Sequence, residues 1–142
     1  ADQMNLFLEH TGLKKVIEML KAEGLENVFA RHQQMAQSIR DAAQAIGLKL
    51  LSPEAPSNAC TAIYAPDGID SGKIVKGLRD NFNMTIAGGQ DDFKGKIFRI
   101  GHLGYYDIFD MITVWAAVEK QLTTLGYKFE LGKGVAAIIR NI

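Results

Sequence analysis

Arg99 lies inside an apolar, β-like run, GKIFRIGHLG from Gly95 to Gly104, which ends in two glycines flanking a histidine and a leucine. A guanidinium keeps its proton in a protein, carries its N–H donors in a fixed fork and is costly to bury without an anion. A half-buried strand arginine must therefore meet one. Asp91, Asp92, Asp107 and Asp110 are close in sequence and offer an internal ion pair, and the residues taken alone lean slightly towards it. Strand alternation, however, puts Ile97, Arg99, Gly101 and Leu103 on one face and Phe98, Ile100 and His102 on the other. Gly101 leaves open space beside Arg99, where a planar fork suits the two-pronged grip of a carboxylate.

Gly88, Gly89, Gly101 and His102 are the candidates to line that space. Gly88 and Gly89 admit backbone conformations closed to other residues, although an ordinary turn explains them equally well. His102 sits at a strand end between glycines, where backbone can approach a ligand, but a structural histidine is the preferred reading. His10, His32 and His102 show neither the spacing of a zinc site nor cysteine partners, so no metal is expected. DSGKIVK fails as a phosphate loop, because three residues instead of four separate Gly68 from Gly72 and Ile74 replaces the hydroxyl residue. Lys73 in the same stretch opens an amphipathic helix, so it is expected to be exposed and not a Schiff-base amine. Cys60 reads as a buried, inert thiol, and Tyr105 and Tyr106 read as core residues.

The elements that must position these groups follow from periodicity. Leu13, Val16, Ile17 and Leu20 fall on one helical face that Gly24 stops, and a second helix runs from Val28 through Ile46 to Gly47. Leu48 to Ser52 is a short apolar run, and NACTAIYA (Asn58 to Ala65) is rich enough in β-formers to be a strand. Asp70 or Ser71 caps a helix carrying Ile74, Val75, Leu78 and Phe82, which ends near Asn83. MTIA (Met84 to Ala87) and KIFRIGHL read as further strands. The last strong helix starts at Asp107, with Asp110 in its first turn, and Gly126 ends it. Val135 to Ile139 is apolar but unassigned between helix and strand. Strands separated by helices imply an α+β fold, a small sheet covered on one face by helices.

With 142 residues the chain fits one domain with a single core. Its 16 basic and 16 acidic residues cancel without a block of like charge, which removes the electrostatic case for nucleic acid or an anionic membrane. A single cysteine permits no internal disulfide. No run approaches a membrane span and no signal peptide is visible, so a cytoplasmic location is expected.

Two stretches, GLENVFARHQQMAQSIRDAAQAIGLKLL and AGGQDDFKGKIFRIGHLGY, together with the order of elements between them, resemble the C-terminal small domain of class V pyridoxal-phosphate aminotransferases of the alanine/serine:glyoxylate or serine:pyruvate type. The resemblance runs to about Leu125. It implies a mostly antiparallel sheet in a fold-type I aminotransferase C-terminal domain, a homodimer, and a role for Arg99 in binding the substrate α-carboxylate. It thereby overturns the lean towards an internal ion pair. It also implies amino transfer from serine or alanine to glyoxylate or pyruvate with pyridoxal 5′-phosphate, whose lysine, acid and phosphate contacts lie in a large N-terminal domain with no matching positions here.

Residues 1–23 are then expected to be the helix leaving that domain, and 24–142 the small domain. Alone, the chain is expected to hold no catalytic residue, to bind no cofactor tightly and to be inactive. Leu6, Phe7 and Leu8 are expected to present apolar surface that favours self-association. A non-catalytic carboxylate-binding or interaction module is the alternative. Some relatives in this family carry the label of a soluble hydrogenase subunit, but one cysteine supplies neither an iron–sulfur nor a nickel–iron site.

Overall fold

The computed structural model describes the backbone of residues 2–142 and side chains from His10 onward. It divides into two compact units, residues 1–31 and 32–142. The first contains α1 (Asp2–Glu23) and the beginning of α2 (Leu25–Ala45). Gly24 separates the helices with φ +85, a left-handed conformation that suits glycine and stops α1 where expected. Both oxygens of Glu23 accept from Arg31, at 2.7 and 3.0 Å, a two-pronged ion pair. Leu13, Val16 and Ile17, the apolar face read from periodicity, are exposed. Leu6, Phe7 and Leu8 lie outside the described side chains.

In the second unit, β1 (Cys60–Tyr64), β2 (Ala87–Gly88) and β3 (Ile97–Gly101) form an antiparallel sheet of order β1-β3-β2. α3 (Ser71–Phe82), α4 (Ile108–Thr124) and α5 (Lys133–Ile139) join the rest of α2 around it. The fold is α+β, as expected, and is built on strand alternation. Thr61 and Ile63 of β1 and Phe98 and Ile100 of β3 are buried with Met35, Ile39, Ile74, Leu78, Trp115, Val118 and Leu122 from the helices. Cys60, Ala62, Tyr64 and Arg99 alternate with them and are half-buried.

The helix ends obey local chemistry. Asp70 accepts from the Gly72 N–H at 2.6 Å to start α3, and Asn83 ends it with φ 54. At α4, Asp107 accepts from the N–H groups of Phe109 and Asp110, while Asp110 accepts from the Asp107 N–H, a reciprocal capping box.

Two sequence readings are corrected, and two stretches left without an assignment are settled. The strand expected at Met84–Ala87 is only Ala87–Gly88, because the Met84 N–H donates to Leu78 O and finishes the α3 cap before sheet pairing begins. Leu48–Ser52 contributes one isolated bridge, Leu50 to Ile63. The unassigned tail is helical, as α5. Tyr105 and Tyr106 are 83% and 49% exposed instead of packed in the core, since they precede the α4 cap and not its buried face.

α5 shows why a carboxylate is buried on α4. Glu119 is 1% exposed. Its Oε1 accepts from the Val135 N–H at 3.0 Å and its Oε2 from the Gly132 N–H, so it satisfies donors that a helix start leaves without intrahelical partners. Gly134 fits only without a side chain, since a Cβ there would lie 2.1 Å from Trp115 Nε1 and 2.7 Å from Glu119 Oε1.

Candidate functional site

Arg99 sits at the centre of the sheet, on β3 between the two outer strands. Its cross-strand partners are Ala62 on β1 and Ala87 on β2, so short side chains flank the guanidinium on both sides. Nε donates to Gly88 O at 3.0 Å. A guanidinium has five N–H groups, so one donated leaves four, all on Nη1 and Nη2, with no protein partner among the described residues. None of the described carboxylates lies within ion-pair distance of Arg99. Asp107 and Asp110, two of the aspartates that could have paired with it, are committed to the α4 capping box.

Gly101 is exposed, and a Cβ there would meet nothing within 4 Å, so the strand is open two residues beyond Arg99. Gly88 supplies its carbonyl and tolerates a Cβ, whose nearest neighbour would be Val75 at 3.8 Å. Gly89 is sterically obligatory: a Cβ would stand 2.0 Å from Phe93 O and 3.0 Å from Ile97 Cγ1. That close approach folds the loop back onto β3, where the Gly89 N–H donates to Ile97 O at 3.0 Å. Cys60 pairs with Gly101 in the ladder and is half-buried, not buried as expected. Burial pushes its thiol above the ordinary value while the Arg99 charge acts in the opposite sense, so it stays protonated at neutral pH. Lys73 is exposed on α3, as expected.

His102 is placed away from this surface. It is fully buried, with Nδ1 2.9 Å from Asn58 O and Nε2 2.9 Å from Thr61 Oγ1. A carbonyl only accepts, so Nδ1 carries the proton and Nε2 accepts from the threonine. His32 Nε2 accepts from the Gly104 N–H at 3.0 Å. Both histidines thus hold the chain that follows Arg99.

Burial lowers the His102 pKa from its ordinary 6.5, the Asn58 hydrogen bond opposes that shift, and Arg40 and His32 add to it. The imidazole is therefore neutral in the fold while the unfolded chain takes up a proton below about pH 6.5. Its stabilising contribution is complete above that pH and is lost as pH falls towards the folded value. Urea unfolding between pH 7 and pH 5 should show falling stability, by up to about 1.4 kcal/mol per pH unit from one proton. His102→Gln should flatten that slope, and an unchanged slope would contradict the assignment.

Sequence reasoning missed Glu119 and Arg40, because a charged residue in a helical pattern reads as solvent-facing. Arg40 is only 7% exposed. Among the described residues no group of three or more metal-ligating side chains occurs, and no helix is long and apolar enough to cross a membrane.

The chain and its fold have counterparts among known proteins. The chain is 41% identical over 138 residues to the soluble hydrogenase small subunit of Synechococcus sp., covering 96% of this chain and 35% of that protein. It is 40% identical over 128 residues to the serine–glyoxylate aminotransferase of Methylorubrum extorquens, covering 89% of this chain and 32% of the relative. The crystal structure of pyridoxamine-pyruvate aminotransferase from Mesorhizobium loti superposes with a TM-score of 0.86 at 29% identity, over 92% of this chain and 34% of that one. No protein-family model matches. The chain thus spans about a third of the length of these relatives, and it is homologous to the C-terminal part of class V aminotransferases.

Aminotransferases of this class depend on pyridoxal phosphate. The surroundings of Arg99 do not fit that group. Ala62, Ala87, Cys60 and Gly101 bring no amine, carboxylate or aromatic plane to a pyridine ring, whereas the free fork fits a carboxylate.

Proposed function

We propose that this chain supplies the substrate-carboxylate grip of an aminotransferase that moves an amino group from a small amino acid, serine or alanine, to glyoxylate or pyruvate. The observation that carries the reading is the Arg99 fork: tethered through Nε, unpaired at both terminal nitrogens, and flanked by two alanines and an open glycine. A carboxylate seated there accepts two parallel N–H bonds, which fixes its plane as well as its position. Orientation of the Cα–H bond is what such a grip contributes to amino transfer. No step of the transfer is assigned to residues of this chain, because their arrangement forms no cofactor cradle. Those groups belong to the longer polypeptide that the relatives possess, and the chain alone is expected to be inactive.

The names of relatives support the substrate class, since serine, aspartate, pyruvate and glyoxylate all occur among them. The name soluble hydrogenase also occurs, and this chain would bring a single thiol to such a site. A non-catalytic carboxylate-binding module would keep the same Arg99 geometry. The test is amino transfer by a full-length protein carrying this chain. Turnover of serine or alanine with glyoxylate or pyruvate, with visible cofactor absorption that changes when the amino donor is added, is the expected result. Carboxylate binding without cofactor absorption or turnover would select the module.

A further inference from the structure

A second arginine carries an argument of its own. Arg40 projects from α2 and is 7% exposed, yet no carboxylate pairs with it among the described residues. Its neighbour Asp41 is engaged elsewhere, one oxygen accepting from Gln37 Nε2 at 2.7 Å and the other from Asn141 Nδ2 at 3.1 Å. The guanidinium is held by neutral acceptors only. Nε and Nη2 donate to Gln37 Oε1 at 3.3 and 3.0 Å, and Nη1 donates to Ser57 O at 3.2 Å. Five N–H groups less these three leaves two, one on each terminal nitrogen.

Arg40 lines a cavity of about 180 Å³ together with Ser52, Pro56, Ser57, Cys60 and Thr61. The Ser57 hydroxyl accepts from the Ala59 N–H at 3.0 Å, which leaves its own O–H to donate. The Thr61 hydroxyl is occupied by His102. The cavity therefore holds a buried positive charge, spare donors and no anionic residue. A charge withdrawn from water this far is costly without a counter-ion, and burial accordingly depresses the Arg40 pKa against the opposing field of Asp41.

We propose that Arg40 and Ser57 form a binding site for a small oxyanion, a carboxylate or a phosphate, in the cavity between α2, the 52–57 loop and β1. The cavity shares Cys60 and Ala62 with the walls of the Arg99 surface but takes its donors from Arg40 and Ser57, and it does not depend on the aminotransferase reading. A bound anion gives the buried Arg40 charge a counter-ion and ties down the 52–57 loop, through the Ser57 hydroxyl on one side and the Ser57 carbonyl already held by Arg40 on the other.

The test uses the Arg99→Ala protein, so that the exposed arginine does not contribute. Inorganic phosphate and pyruvate are titrated separately by calorimetry and thermal unfolding, against chloride at equal ionic strength. The expected result is saturable binding of at least one of them, with a rise of a few degrees in the unfolding midpoint at saturation. Binding of phosphate alone or of pyruvate alone identifies which kind of oxyanion the cavity takes. Arg40→Lys should weaken binding about tenfold through loss of the fork, and Ser57→Ala a few-fold. Ser57→Ala leaves α2 packing untouched and decides the matter if Arg40→Lys fails to fold. Absence of saturable binding by either anion, or undiminished affinity in Ser57→Ala, overturns the proposal.

Discussion

Arg99→Ala in the full-length protein should cost about 2–5 kcal/mol of carboxylate binding, seen as a fall in kcat/KM from roughly thirtyfold to several-thousandfold while cofactor absorption is retained. Such a large effect follows from what surrounds the guanidinium. Its Nε is already spent on Gly88 O, its flanking residues are alanines, and no other cation stands on the cross-strand positions to take over the charge. Stability should change much less. The variant loses one hydrogen bond to a carbonyl, worth about 1 kcal/mol, from a side chain that is only half-buried. Arg99→Lys should recover part of the activity, because an ammonium restores charge but not the two-pronged geometry. Steady-state kinetics with amino donor and oxo-acid acceptor varied in turn should show both KM values raised, since both substrates carry the same carboxylate. Wild-type kinetics in Arg99→Ala would end the assignment.

The second large effect concerns the fold. Glu119→Ala should destabilise the protein by about 3–5 kcal/mol, because two main-chain donors at the start of α5, those of Gly132 and Val135, lose a charged acceptor in a buried setting. That is a large fraction of the stability of a typical domain. Glu119→Gln keeps one acceptor oxygen and should cost less. Gly134→Ala should also destabilise, since its Cβ would collide with Trp115 Nε1 and crowd the same carboxylate. Urea unfolding followed by tryptophan fluorescence reads all three, because Trp115 is the only tryptophan and lies under α5. A cost below about 1 kcal/mol for Glu119→Ala would show that the cap contributes little.

These two sites differ in how far the residues alone revealed them. Arg99 was conspicuous because an arginine interrupts an apolar strand pattern, and period-two alternation sets Gly101 two residues further along the same strand face. What sequence could not decide was the anion, because proximity along the chain made four aspartates look equivalent. Two of them were already committed to a helix start, which becomes evident once Asp107 and Asp110 are seen capping each other. Glu119 and Arg40 were invisible for the opposite reason. Each stands three or four residues from core positions of its helix, but its charge reads as solvent-facing, and each is buried by an element, α5 or the 52–57 loop, whose position depends on tertiary packing. The helix ends at Gly24, Asp70, Asn83 and Asp107 were legible because caps are local chemistry. The short β2 was not, because a turn-closing hydrogen bond at Met84 competes with sheet pairing.

The tether of Arg99 has a consequence for how such a site diversifies. Its anchor is the carbonyl of Gly88, a main-chain atom that remains whatever side chain the residue bears. The walls around the guanidinium, by contrast, are set by Ala62, Ala87 and Cys60, side chains that can change without altering the ladder register. Grip and walls are therefore independently mutable. A lineage can enlarge, narrow or polarise the space around Arg99 while its main-chain tether keeps the guanidinium in the same place.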